Sequence, residues 1–585
     1  MKTSEASMNF LKDFKDLEIS TPEMFISFKL GKSKTFVSTE YKVLKHQPVS
    51  SLFLDGVNLK FLSLTIDGQT WSDYKLTDEG LEVFNLPEAD SFTLLVENSV
   101  EPDKNTELEG LYLSGDMLCT QNEPMGFRKI TYSLDRPDNM VKCKVKILGD
   151  KKIFPFMLSN GNLIEEGSEE GLRFCVWEDP FPKSLHLFAL VAGDLAELKD
   201  EYTTASGRKI DIRFYCDHGA EHRCGFAIES LKNSMKWDEE RFNLEYDLDL
   251  YMVVAVDSFN MGAMENKGLN IFNSALVLAN PKTATDLNYH RIESVIGHEY
   301  FHNWTGNRVT LKNWFQLTLK EGLTVFRDQE FSSDLNDAAV ERIDMVKSLK
   351  ERQFTEDAGG LAHPIRPEKY KEMNNFYTST VYEKGAEVIR MMHILLGEEK
   401  FQKGMAEYFK LYDGKAITTE DFVEVMAKQE PRVDKDWFSR WYQTPGTPRV
   451  EITETFKDGK LHLKFEQSNP IAKAQKLGFE ETYIPIKMSI YDEKGQKLAL
   501  KTEASNQDFL DKGIVVLKNQ TLELSFDVPS EDSICSYFEG FSAPVLFNIN
   551  SEKRDLSKLI QYDQDNFNRY NAFKTSAVDL SLIHI

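Results

Sequence analysis

The stretch IESVIGHEYFHNW, residues 292–304, holds two histidines four positions apart with a glutamate directly after the first. On a helix, His298 and His302 are a little over one turn apart, so both imidazoles leave the same face and can take two cis positions on a tetrahedral zinc ion. Glu299 is then turned by about 100° from His298, close to the ion without having to bind it. With 11 histidines in 585 residues, H-E-x-x-H should arise by chance on the order of 0.01–0.02 times in such a chain. That favours a metal site without excluding an ordinary helix.

A zinc hydrolase also needs a third protein ligand and an open position for water. Glu321 can supply the ligand: it lies in LTLKEGLTVF, a second amphipathic segment, reached through TGNRVTLKN, whose Gly and Asn content suits a helix–helix connection. Two antiparallel helices could then present His298, His302 and Glu321 to one ion. A single helix glutamate is more often a solvated surface residue, so spacing alone leaves both readings open. A further element is FNMGAMENKGLNIFN, residues 259–273.

Taken together, H-E-x-x-H, eighteen intervening residues, a glutamate and an upstream G-A-M-E-N resemble the gluzincin-type zinc aminopeptidases, in their bacterial branch. CTQNEPMGFRKITYSLDRPD (119–138) is similar to that family's N-terminal substrate-contact segment, and TSTVYEKGAEVIRMM (378–392) to its catalytic-tyrosine helix. The resemblance implies a multidomain α+β fold: a β saddle domain, a thermolysin-like, mostly helical catalytic domain, a small β sandwich and a helical C-terminal domain.

It also implies roles. One zinc ion is assigned to His298, His302 and Glu321, a donor set that leaves the ion net positive and acidifies bound water. Glu299 becomes the general base, which takes the water's proton and returns it to the leaving amine. Tyr382 becomes the phenol that donates to the developing oxyanion, a contribution of ~3–4 kcal/mol. Glu265 and Glu123 become the carboxylates that pair with a free α-amine, which an internal peptide nitrogen cannot imitate because it carries no charge. Gly262 and Ala263, with Met264 and Asn266 in the same motif, could pair with an extended substrate as an added strand. Met261 and Gln121 match positions lining the first side-chain pocket, where a flexible thioether tolerates several residue types.

The implied reaction is release of N-terminal residues, with broad preference for Ala, Arg, Lys or Leu, by attack of zinc-activated water. The leukotriene-type epoxide hydrolase relatives share the zinc constellation, but they carry G-G-M-E-N where this chain has Ala263. A thermolysin-like endopeptidase would have no use for an amine-binding carboxylate cluster. A zinc scaffold without catalysis would not need Glu299 and Tyr382.

The elements that must hold these residues show in the hydropathy pattern. From about residue 20 to 200 the chain alternates, as in VKCKVKI, where Val141, Cys143, Val145 and Ile147 share one face and three lysines the other. Near residue 225 apolar residues shift to three- and four-residue spacing, which predicts a largely helical middle ending at YQTPGTPRV. Alternation returns in KLHLKFEQ, YIPIKMSIYDEKGQKLAL and LELSFDV, as in a compact sandwich. The expected domains are 1–198, 199–446, 447–549 and 550–585.

The last of these is too short for its own core. It reads as the start of a longer helical domain, so the chain is expected to be C-terminally truncated, and its closing LSLIHI resembles translated sequencing adapter.

A net charge of −24 disfavours nucleic acid and attracts cationic ligands such as protonated amines. No apolar run approaches the ~20 residues of a membrane span, and MKTSEASMNFLKDFKDLE lacks the pattern of a secretory signal. A cytoplasmic monomer acting on peptides with a free N-terminus is the expectation. The six scattered cysteines read as buried thiols. His218 and His222 read as a solvated helix or turn, His363 as a loop residue and Cys119 as packed.

Overall fold

The computed structural model describes residues 8–476, 481–502, 508–551 and 554–583. Residues 1–7 of the N-terminal segment and the final His584 and Ile585 of LSLIHI lie outside the described residues. The chain forms two compact units: Lys12–Gln316 with Phe409–Thr418, and Met1–Leu11 with Leu317–Tyr408 and Thr419–Ile585.

In the first unit, the alternation at VKCKVKI becomes strand Val141–Gly149, with Val141, Cys143, Val145 and Ile147 buried and Lys142 and Lys144 exposed. It pairs in parallel with Ile19–Lys29, Val145 opposite Ile26, inside an eight-stranded, otherwise antiparallel sheet. The inward residues Ile26, Phe28, Tyr41, Val43 and Leu94 have no exposed surface, and each fully buried apolar side chain contributes roughly 1.5–3 kcal/mol.

The helical reading of the mid-chain misses a second sheet. Five strands run in the order Ala196–Thr203, Lys209–Cys216, Leu250–Val256, Leu269–Asn273 and Ala263–Met264, and the three central ones are mutually parallel. Leu250–Val256 is buried at every position. A strand covered on both faces reads as a continuous apolar run with no period of two, which periodicity cannot separate from buried helix. Helices α1 (Gly225–Phe242) and α2 (Asp286–Phe301) follow strands of this sheet and pack on each other, with Trp237 and Phe301 ring centroids 4.9 Å apart. A capping box starts α2: Thr285 Oγ1 accepts from the Asn288 amide, and Asn288 Oδ1 accepts from the Thr285 amide at 2.8 Å. The connection after α2 is more than a loop, since Val309–Leu311 pairs in parallel with Lys415–Ile417.

One carboxyl in this unit gives the fold a pH dependence. Burial pushes Asp55 up to about 6; the Arg128 guanidinium, 3.2 Å away, opposes the shift and the Asp135 carboxylate adds to it. A raised folded-state value favours the protonated form, so the contribution is complete below pH ~4 and is lost as the pH rises through ~6. Asp55→Asn should therefore gain on the wild type by about 1–3 kcal/mol between pH 4 and pH 7. The difference in their thermal midpoints at the two pH values checks this; parallel curves would remove Asp55 as the cause.

In the second unit, helices α3 (Leu317–Leu335) and α4 (Gly385–Leu396) pack closely. Residues 449–550 form two four-stranded sheets, and the three alternating segments become strands Lys460–Ser468, Ile484–Tyr491 and Thr521–Asp527. Two helices, Leu556–Tyr562 and Asn566–Ile583, follow. The fold class is multidomain α+β, as the sequence implies. Among the described residues no helix is long and apolar enough to cross a membrane.

Candidate active site

At the C-terminal end of α2 the rings of His298 and His302 stand perpendicular, their centroids 4.5 Å apart and their Nε2 atoms 2.9 Å apart. His302 Nδ1 lies 2.9 Å from the Thr305 carbonyl oxygen. Nδ1 therefore carries the proton and donates, which leaves the Nε2 lone pair for a metal. Two imidazole nitrogens bound to zinc at ~2.0–2.1 Å are about 3.4 Å apart, somewhat more than the 2.9 Å here, and a small rotation of either ring would open this donor pair to that spacing. Glu299 is buried beside them.

Glu265 links this pair to a second group of donors. The carboxylate and imidazole atoms of Glu265, Glu299 and His302 lie within 4.8 Å of one another, and so do those of Glu265, Glu123 and His186. Glu265 follows the short strand Ala263–Met264, which is the edge of the five-stranded sheet. Gly262 is exposed and Ala263 half-buried there, and the Gly262 carbonyl accepts from the Asn273 amide at 2.9 Å. Gln121 ends strand Met117–Gln121 and donates through Nε2 to the Glu123 carbonyl, 3.1 Å away, with Met264 Sδ at 3.7 Å. Met261 is half-buried against the same core. The buried carboxamide of Asn266 and the Gln121 Oε1 have no hydrogen-bond partner among the described residues.

A buried network ties this segment to the turn after α2. Lys267 Nζ donates to both Asp247 oxygens at 2.6 and 2.7 Å and to Asn303 Oδ1 at 2.9 Å. Arg308 Nη1 donates to the same Asp247 at 2.7 Å, and Asn307 Nδ2 donates to the Glu265 carbonyl at 2.9 Å. Burial would raise the Asp247 carboxyl, but Lys267 and Arg308 outweigh it and hold it below its usual range.

Glu321 and Tyr382 belong to the other compact unit. Glu321 is buried on α3, with the Lys320 ammonium 2.8 Å from its carboxylate. Tyr382 does not lie on regular α-helix as expected; it is half-buried in a π-helical turn, Thr380–Lys384, that leads into α4. Such turns re-aim a side chain at the cost of a strained ladder. Lys384 anchors the turn through Asp357, 2.7 Å away, and the Gly446 carbonyl at 3.0 Å.

The turn sits against α3 where Thr318 Oγ1 donates to the Val381 carbonyl at 2.8 Å and Gly322 meets Gly385. A Cβ on Gly385 would fall 2.3 Å from Thr318 Oγ1 and 3.1 Å from Gly322 Cα. Gly385→Ala should lower stability by about 1–3 kcal/mol and lower kcat more than metal content, because the turn bearing Tyr382 must move. Melting and metal analysis check both; an unchanged kcat would detach this packing from the tyrosine.

His186 is the neighbour the sequence reading misses. It sits between two leucines with no motif spacing, and such a histidine reads as core. The lysine of the G-A-M-E-N-K segment and Asp247 carry no such signal either. His218 bonds Asp194 at 3.0 Å on an exposed turn, and His363 bonds the Thr378 hydroxyl at 2.9 Å. Burial pushes the Cys119 thiol up to about 12, and all six cysteines are free and buried.

Residues 226–441 match the peptidase family M1 domain, residues 21–187 the peptidase M1 N-terminal domain, and residues 446–550 a domain of unknown function with an Ig-like fold. The chain is 48% identical over 577 residues to aminopeptidase N of Haemophilus influenzae and 47% identical over 574 residues to aminopeptidase N of Escherichia coli. Each alignment covers 97% of this chain and 65% of the relative, so the chain spans about two thirds of the length of these proteins. The crystal structure of Legionella pneumophila aminopeptidase A in complex with aspartic acid superposes with a TM-score of 0.85 at 32% identity, covering 97% of this chain and 64% of that one.

Proposed function

The chain belongs to peptidase family M1, and from that premise we propose that it is a zinc-dependent aminopeptidase of the alanyl type, releasing single residues from peptides with a free N-terminus. The observation that carries this reading is the position of Glu265, whose carboxylate lies within 4.8 Å of Glu299 and His302 on one side and of Glu123 on the other. In a peptide the terminal nitrogen and the first carbonyl carbon are about 2.5 Å apart by covalent geometry. An ammonium held between Glu265 and Glu123 therefore places the first peptide bond, and no later one, beside Glu299.

The residues divide the work. Glu123 and Glu265 pair with the ammonium, and the Gly262–Ala263 edge pairs with the extended backbone. Met261 and Gln121 border the first side chain, where the preference for Ala, Arg, Lys or Leu would be set. Glu299 takes the proton of the attacking water and returns it to the leaving amine. Tyr382 donates its phenolic hydrogen to the developing oxyanion. Glu321, at the family spacing from His302, would join His298 and His302 in holding one zinc ion, which supplies Lewis acidity and water of lowered pKa. Six free, buried cysteines suit a reducing compartment, consistent with a cytoplasmic monomer. The ranges 1–198, 199–446, 447–549 and 550–585 are proposed as its domains.

A free tetrapeptide and its N-acetyl form test the reading. The free peptide should lose its first residue and the acetylated one should persist; equal cleavage of the two, or cutting at internal bonds, would overturn it.

A further inference from the structure

We propose that Glu123, His186 and Glu265 form a second cation site, for a divalent ion of the Zn2+ class, where the substrate ammonium is otherwise held. All three are buried, with 3%, 1% and 3% of their surface exposed, and their donor atoms lie within 4.8 Å of one another. His186 is fixed in orientation: Nδ1 is 2.7 Å from Ser184 Oγ, and its ring stands edge-on to Trp314 at 5.0 Å. Nε2 then points at Glu123 Oε2, 3.9 Å away.

That separation is too long for a hydrogen bond between the two. It is close to the ~3.4 Å between two ligands of one tetrahedral ion, within reach of a small side-chain rotation. The Ser184 hydroxyl can accept from Nδ1 as well as donate to it; in the tautomer where it accepts, the Nε2 lone pair faces the Glu123 carboxylate and the two can share a cation placed between them. Two carboxylates and one imidazole neutralise a divalent charge and suit a borderline metal ion.

An ammonium and a metal ion use this place differently. The ammonium is served by the two carboxylates, whereas the ion also needs the His186 lone pair. The ion and a peptide N-terminus therefore exclude each other, so free Zn2+ inhibits competitively; this consequence rests on the proposed function, while the site itself does not.

Calorimetric titration of Zn2+ into the chain already loaded with one equivalent tests the proposal. The wild type should take up a second equivalent, and leucine amide, with its free ammonium, should weaken that binding while N-acetyl-leucine amide leaves it alone. His186→Leu and Glu123→Gln should each weaken the second equivalent by on the order of tenfold or more while retaining the first, which shows that they fold. Unchanged second binding in both variants, or no second equivalent in the wild type up to millimolar Zn2+, would overturn it. A chain that takes the second ion but hydrolyses no peptide keeps this site and removes the proposed function; one that hydrolyses peptides and takes no second ion does the reverse.

Discussion

Glu299→Gln is expected to lower turnover of an alanyl or leucyl anilide by about 10²–10⁴-fold while the metal content stays at that of the wild type. The amide has the shape of the carboxylate, so α2 and its two imidazoles keep their places. It cannot accept a proton, so the attacking water is left without a base. Because Glu299 is buried and within 4.8 Å of both His302 and Glu265, no exposed carboxylate can replace it. The loss should fall on kcat, since the ammonium contacts are untouched. Undiminished hydrolysis would exclude Glu299 from proton transfer, and parallel loss of metal would make it a structural residue.

Glu265→Gln should cost the next largest amount, and only for substrates with a free amine. Removing one partner of a buried charge pair costs about 3–5 kcal/mol, or on the order of 10²–10⁴ in kcat/KM, expressed mainly as a higher KM. The slow background cleavage of an N-acetylated peptide should hardly change, so discrimination between free and blocked N-termini shrinks by the same factor. The pH dependence supplies a second readout. A peptide amine loses its proton near pH ~8, so the wild-type KM should climb above that pH while the variant's profile flattens. A variant that discriminates as well as the wild type would move amine recognition elsewhere.

The candidate site residues were far more legible than the scaffold that holds them. His298, Glu299 and His302 announce themselves because a metal site, wherever one is built on a helix, dictates residue type and spacing together. VKCKVKI announces its strand because one face meets solvent. Leu250–Val256, covered on both faces, has no polar side to break the run, and the sheet that carries Glu265 was lost with it. Tyr382 was expected on regular helix and lies in a π-turn instead, since a π-turn differs from an α-turn by one inserted residue and leaves no mark in hydropathy. His186 was invisible for another reason: its meaning comes from Glu123 and Glu265, which are distant in sequence and meet it only in the folded chain. Lys267 and Asp247 share that property, each unremarkable until the 2.6 Å contact joins them.

That contact also bears on the products. Lys267 and Asn307 fasten the Glu265 segment to the backbone that carries His302, so on the proposed function the gap between amine anchor and imidazoles is a caliper setting of the protein and does not adapt to the peptide. Digestion of a long substrate should then leave a mass ladder in which every rung is one residue apart. A worn caliper, such as Lys267→Met, would show itself as missing rungs, dipeptides released in a single step, before it showed itself as a slower enzyme.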